Sequence, residues 1–250
     1  MADICIIVGH GKSESGGYDS GAVSKDGKFH EFRIAREIAK YAVDYLNANY
    51  DIHADLMNYD GSLYLTDRIK KVNASNYDFI AEIHLNAGGG TGVETYYYHG
   101  SRKSQNYADK ICDHIADALG LGQRANYGDD RSFDTDKDGG DKTKLNNKGK
   151  DYFGIIRETK PCAVLVETVF IDTPSDLAKV KTAEGQKKCG IAIAEGIAAA
   201  RGLKKKETAK PAESGKLYRV QIGPYSVKSE AENLKEGFNK LGFNAIIMEG

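Results

Sequence analysis

Two histidines, His10 and His84, each stand at the end of a short apolar run, and two glutamates, Glu31 and Glu167, stand where a carboxylate needs an explanation. His10 follows Ile4-Cys5-Ile6-Ile7-Val8 within Gly9-His10-Gly11, and His84 lies in Ile83-His84-Leu85-Asn86-Ala87, which Gly88-Gly89-Gly90 stops. Glu31 opens a stretch of helical periodicity, and Glu167 interrupts the most apolar run of the chain, residues 163–171. Two imidazoles and a carboxylate with one open position have the composition of a catalytic zinc site, and a further glutamate close by is what metal-assisted hydrolysis needs.

Each residue also has an ordinary reading. A lone histidine at a strand end is commonly a hydrogen-bonded structural residue, and a carboxylate opening a helix is favourable charge at the helix N-terminus. Glu167 could lie at an exposed strand end. Buried and unpaired, it would cost several kcal/mol, so inside the run it must meet a cation, stay protonated or face a water-filled site.

Other sites are excluded by spacing. Gly11-Lys12-Ser13 resembles the end of a phosphate-binding loop, but its first glycine position is Ile6. His30-Glu31 begins like a zincin motif, whose second histidine position is Ile34. There is no G-x-S-x-G elbow. Asp134, Asp136, Asp138 and Gly139 match half of a calcium loop, but Leu145 replaces its bidentate glutamate, so a solvated acidic loop over 129–141 is expected.

The elements that must position the four residues follow from periodicity. Strands are predicted over 3–8, 52–57, 77–85, 91–98 and 163–171, the third and fifth as near-continuous apolar runs suited to a covered sheet. Helices are predicted over 31–49, through Ile34, Ile38, Ala42, Tyr45 and Leu46, and over 63–74, 101–119, 177–180 and 186–201. The alternation implies an α/β fold: a twisted, mainly parallel or mixed sheet with helices on both faces. His10 and His84 then fall at the carboxyl ends of strands, where such sheets bind ligands. Residues 121–150, charged and glycine-rich, are expected to form a long surface loop.

Composition shifts at residues 204–215, a charged, proline-containing linker. It divides a domain over 1–203 from a segment over 216–250, where strand, helix and strand are predicted at 217–222, 226–241 and 243–248. A lone β-α-β of roughly 35 residues is too small to be self-sufficient.

The formal net charge of -1 gives no basic footprint for nucleic acid. The four cysteines, Cys5, Cys112, Cys162 and Cys189, form no C-x-x-C pair and read as reduced apolar fillers. Neither a signal peptide nor an 18-residue apolar run is present in the sequence, so the expectation is cytoplasmic synthesis, no membrane insertion and action on other compartments only after release.

Over residues 3–201 the chain resembles the zinc-dependent N-acetylmuramoyl-L-alanine amidases of the type 3 family. The resemblance rests on Ile6-Ile7-Val8-Gly9-His10-Gly11 with Asp19-Ser20-Gly21-Ala22; His30-Glu31; Leu65-Thr66-Asp67-Arg68 with Asn73; Ile83-His84-Leu85-Asn86-Ala87; and Pro161-Cys162-Ala163-Val164-Leu165-Val166-Glu167, in that order. It implies that His10, Glu31 and His84 bind Zn2+, that Glu167 is the catalytic glutamate and that Asn86 lines the site. One departure is Glu82, where the family usually carries a small residue; by strand alternation it shares a face with His84 without being a ligand.

The implied reaction is hydrolysis of the amide between N-acetylmuramic acid and L-alanine in bacterial peptidoglycan, with Glu167 as general base and then general acid. Residues 216–249, with Tyr218-Arg219-Val220-Gln221-Ile222-Gly223-Pro224-Tyr225-Ser226, resemble the first half of a SPOR domain, a module that binds glycan strands stripped of peptides. Half a module must pack on the first domain, pair with another chain or belong to a larger unit; the favoured expectation is that two tails pair, giving a dimer or larger assembly. The implied setting is lysis, by a phage endolysin released through a holin or by an autolysin of the mother cell. The competing readings are a catalytically silent wall-binding protein and a zinc peptidase cutting within the stem peptide.

Overall fold

A computed structural model describes residues 4–123, 140–206, 222–240 and 245–248. The chain opens with β1 (Ile4–Val8), a small hairpin of β2 (Gly11–Lys12) and β3 (Tyr18–Asp19), and α1 (Glu31–Asn49). There follow β4 (Ala54–Met57), α2 (Leu65–Ala74), β5 (Phe79–Asn86), β6 (Glu94–Tyr97), α3 (Arg102–Leu119), β7 (Asp141–Lys142), α4 (Gly154–Arg157), β8 (Cys162–Phe170), α5 (Pro174–Val180) and α6 (Ala183–Ala200).

Six strands form one sheet in the order β4-β1-β5-β8-β6-β7. β4, β1, β5 and β8 run parallel, while β6 runs antiparallel to β8 and carries β7 beside it. This is the mixed α/β sheet that the alternation of elements implies.

Both faces are covered, which is why the central strands are apolar without alternation. On one face α1, α3 and α6 bring Phe32, Ile38, Leu46, Ile111 and Ile193 against Ile4, Ile6, Phe79 and Ile83. On the other, α2 and the short α4 bring Ile69, Val72, Ile155 and Ile156 against Cys5, Ile7, Ile80 and Leu165. Helix α6 approaches its neighbours closely because Gly190 and Gly196 lack side chains: a Cβ would fall 2.6 Å from Ile38 O and 2.7 Å from Ile111 Cα. The cysteines are all free, and burial pushes the Cys5 and Cys189 thiols up to about 12.

One expectation fails. The predicted surface loop over 121–150 contains an edge strand, β7, with Asp141, Lys142 and Thr143 buried. Lys142 Nζ lies 2.7 Å from Glu94 Oε1, so a buried ion pair holds the segment where an apolar side chain would be expected. The acidic residues 129–139 lie outside the described residues.

The chain divides into two compact units, Met1–Lys206 and Glu207–Gly250. In the second, α7 (Lys228–Lys240) occupies most of the predicted helix. Residues 217–221 and 243–244, belonging to the two predicted strands, lie outside the described residues, and 245–248 join no strand among the described residues.

Candidate functional site

Because β1, β5 and β8 are parallel, their carboxyl ends share one edge of the sheet. His10 follows β1, His84 lies near the end of β5 and Glu167 near the end of β8. Glu31, the first residue of α1, joins them from the helix that follows the β2–β3 hairpin. One ligand atom each from His10, Glu31 and His84 can be chosen so that all lie within 4.8 Å of one another.

Glu31 is the hub of this cluster and is 3% exposed. Its Oε1 atom lies 2.8 Å from His84 Nδ1 and 3.2 Å from His10 Nε2, and accepts the Leu85 backbone N–H at 2.9 Å. Its Oε2 atom accepts the Ala22 N–H at 2.7 Å. Burial alone would raise its pKa, but the hydrogen bonds from both imidazoles reverse this and hold it well below the usual carboxylate range.

His10 sits in the left-handed region, at φ 61°, uncommon for a residue other than glycine. Its carbonyl accepts hydrogen bonds from Asn58 Nδ2 at 2.9 Å and Arg68 Nη1 at 3.0 Å, which hold that conformation. Its ring donates from Nδ1 to Asp19 Oδ2 at 2.8 Å, leaving Nε2 toward Glu31. The β2–β3 hairpin, pairing Gly11 with Asp19, returns that carboxylate to the histidine.

The His84 ring also meets a second carboxylate, with Nε2 at 3.3 Å from Glu82 Oε2. Burial disfavours its imidazolium, but hydrogen bonds to Glu31 and Glu82 more than offset this and raise its pKa well above 6.5. His10 is raised in the same sense: burial and His84 oppose the charge, and Glu31 and Asp19 favour it.

Glu167 is paired in register with His84 on one side and with Glu94 of β6 on the other. Immediately beyond His84 the β5–β8 register slips, an irregularity of the kind that re-aims side chains beside active sites. Glu167 Oε2 is enclosed and has no hydrogen-bond partner. Burial pushes its carboxyl up to about 7, with Glu31 and Glu94 adding to the effect and the two histidines opposing it. Glu94 itself is anchored by Lys142, by Asn86 Nδ2 at 2.8 Å and by the Tyr96 hydroxyl at 3.0 Å. Asn86 therefore touches the site's edge through Glu94.

Two imidazoles, a shared carboxylate and a raised glutamate in register with one of them suit metal-assisted hydrolysis. Residues 4–199 match the N-acetylmuramoyl-L-alanine amidase family model. The chain belongs to that family. Its substrate is peptidoglycan, and the bond it cleaves joins N-acetylmuramic acid to L-alanine.

This amidase is 30% identical to the sporulation-specific N-acetylmuramoyl-L-alanine amidase of Bacillus subtilis, over 99% of this chain and 85% of that protein. It is 29% identical to the endolysin of Bacillus phage SPP1, over 97% of this chain and 82% of the endolysin. Among solved structures, the catalytic domain of the amidase CwlV from Bacillus (Paenibacillus) polymyxa superposes with a TM-score of 0.63 at 26% identity, covering 82% of this chain and all of that domain (100%). Residues 193–249 match the SPOR domain model.

Several contributors to the amidase site were not legible as such in the sequence. Asp19 lies in a glycine- and serine-rich loop, Arg68 on a largely polar helix, and Glu94 in an alternating strand, on the side opposite Val93, Thr95 and Tyr97. The only sequence signal for Asp19 and Arg68 was their place in the family's motifs.

Proposed function

We propose that this amidase is zinc-dependent, with His10, Glu31 and His84 holding the ion and Glu167 moving the proton. The observation that carries this reading is the convergence of three suitable donors beside a carboxyl group whose Oε2 atom is enclosed and unpaired. The donor set fits zinc: one carboxylate and two imidazoles, with the nitrogen of His10 that faces away from Glu31 already bonded to Asp19. The bound ion supplies Lewis-acid polarisation of the scissile carbonyl and acidification of water.

The chain's own residues supply the rest. Glu167, with a carboxyl near 7, is suited to exchange protons close to neutral pH. It takes a proton from the attacking water and delivers it to the nitrogen of the departing L-alanine. Metal analysis of the purified chain tests the ligand set: about one zinc per chain is expected in the unmodified protein, and a marked loss in His10→Ala, Glu31→Ala and His84→Ala. Undiminished zinc in all three variants contradicts the assignment.

For the chain as a whole we propose a catalytic domain over 1–203, a linker over 204–215 and a wall-binding segment over 216–250. Its setting would be lysis of a host or mother cell, with the enzyme reaching the wall after release. No helix among the described residues is long and apolar enough to cross a membrane. The SPOR match supports binding of peptide-free glycan by the tail, and exposed Tyr225 is available to stack on a sugar. Exposed Ile222, Val227, Leu234, Ile246 and Met248 leave apolar surface for two tails to share. Sedimentation velocity should show a concentration-dependent dimer or larger species, and a strict monomer at high concentration contradicts tail pairing.

A further inference from the structure

Glu82 lies two residues before His84 on the same face of β5 and is 2% exposed. Its Oε1 atom faces Arg68 Nε at 2.9 Å and its Oε2 atom faces His84 Nε2 at 3.3 Å. The Arg68 contact is an ion pair rather than an aligned hydrogen bond, since neither Nε nor Oε1 has a hydrogen-bond partner. Arg68 is fixed independently, because its Nη1 donates to the carbonyls of His10 and Leu63 at 3.0 Å each. The same guanidinium thus ties Glu82 to the backbone of the other histidine.

The Nε2 edge of His84 is turned into the protein. A Cβ built on Gly9 would stand 2.3 Å from both Cε1 and Nε2, so the ring fills the space a side chain there would need. The other nitrogen, Nδ1, faces Glu31 Oε1 at 2.8 Å. A ring held this way presents Nδ1 to a metal and keeps its proton on Nε2, and a buried N–H requires an acceptor.

We propose that Glu82, clamped by Arg68, is a positioning residue: it accepts the Nε2–H of His84 and holds that ring with Nδ1 toward the metal. The inference rests on the zinc reading above. It pairs the two histidines as mirror cases. His10 donates from Nδ1 to Asp19 and offers Nε2; His84 donates from Nε2 to Glu82 and offers Nδ1. Glu82 is not itself a ligand, because Arg68 and His84 engage its two oxygens.

The test uses the full chain with isotopically labelled histidine, loaded with spin-active cadmium and read by NMR. Cadmium–nitrogen coupling at His84 Nδ1 and a proton on Nε2 are expected. Coupling at His84 Nε2 overturns the proposal while leaving the metal site intact, and coupling to neither histidine overturns both. In parallel, zinc affinity is measured by competition with a chromophoric chelator, with circular dichroism as the control for folding. Glu82→Ala should weaken zinc about 10–100-fold. Glu82→Gln, whose amide oxygen can still accept from Nε2–H, should recover most of that loss. Unchanged affinity in a folded Glu82→Ala overturns the proposal. If that variant fails to fold because Arg68 is left buried and uncompensated, the cadmium assignment on the unmodified chain decides.

Discussion

Glu167 is the cross-strand neighbour of His84, paired with it in register between the parallel strands β5 and β8. That placement puts the raised carboxyl beside the two histidines without making it part of the cluster they form with Glu31. The division of labour proposed for the site follows from it: three residues to hold an ion, and a fourth, uncommitted carboxyl to carry a proton.

Glu167→Gln removes the proton carrier while keeping shape. Turnover of peptidoglycan should fall by about 10²–10⁴-fold, the range general acid–base catalysis supplies. Zinc content and circular dichroism should be unchanged. Substantial activity in a zinc-loaded variant would overturn the role assigned to Glu167.

The same carboxyl should leave a signature in the stability of the metal-free chain. Its folded pKa is raised from 4.5 to about 7, so between those values the folded state holds more protons than the unfolded one. The group therefore destabilises the fold progressively as pH rises through that window, by on the order of 3 kcal/mol once both states are ionised. Urea denaturation should find Glu167→Gln more stable than the unmodified chain at about pH 8 and equal to it at about pH 4. Equal stability at both would show that the carboxyl is not raised.

Zinc uptake should be proton-coupled. Interactions with Glu31 raise the pKa of both His10 and His84, and each must surrender a proton to become a ligand. Calorimetry in buffers of different ionisation heat should detect proton release on binding, and affinity should fall as pH is lowered. Affinity independent of pH would exclude the two imidazoles as ligands.

Gly9→Ala should act on the metal site through sterics. The added methyl group collides with the His84 ring, which is enclosed and cannot swing away freely. Zinc affinity should drop at least about 10-fold, in line with the loss of a supported ligand orientation. Titration against a competing chelator checks this, and unaltered affinity would place the ring elsewhere.

Lys142 and Glu94 make a buried pair whose disruption should be costly. Lys142→Met removes the buried ammonium that faces Glu94, for which about 3–5 kcal/mol of lost stability is expected. The double variant Glu94→Gln with Lys142→Met should recover part of it. Denaturant midpoints measure both.

Much of the frame was legible because burial leaves a direct mark on sequence. β1, β5 and β8 are covered on both faces and read as apolar runs, unbroken in β1 and nearly so in β5 and β8, and α1 declares itself through Ile34, Ile38 and Leu46. His10, His84 and Glu167 stood out because each is polar at the end of such a run. What stayed hidden depends on tertiary closure. Asp19 reaches His10 only because a hairpin turns the chain back, Arg68 is buried from a helix whose composition is polar, and β7 is held by charge pairing that hydropathy cannot register. The grouping of His10, Glu31 and His84, so distant in sequence, was suggested only by the order of the family's motifs.

The most direct test of the central claim is digestion of purified peptidoglycan by the zinc-loaded protein, with and without a chelator, followed by mass spectrometry of the released ends. Stem peptides that begin with a free L-alanine amino group are expected, released only when metal is available. Intact walls in the presence of a fully metal-loaded protein, or new amino groups only within the stem peptide, would contradict it.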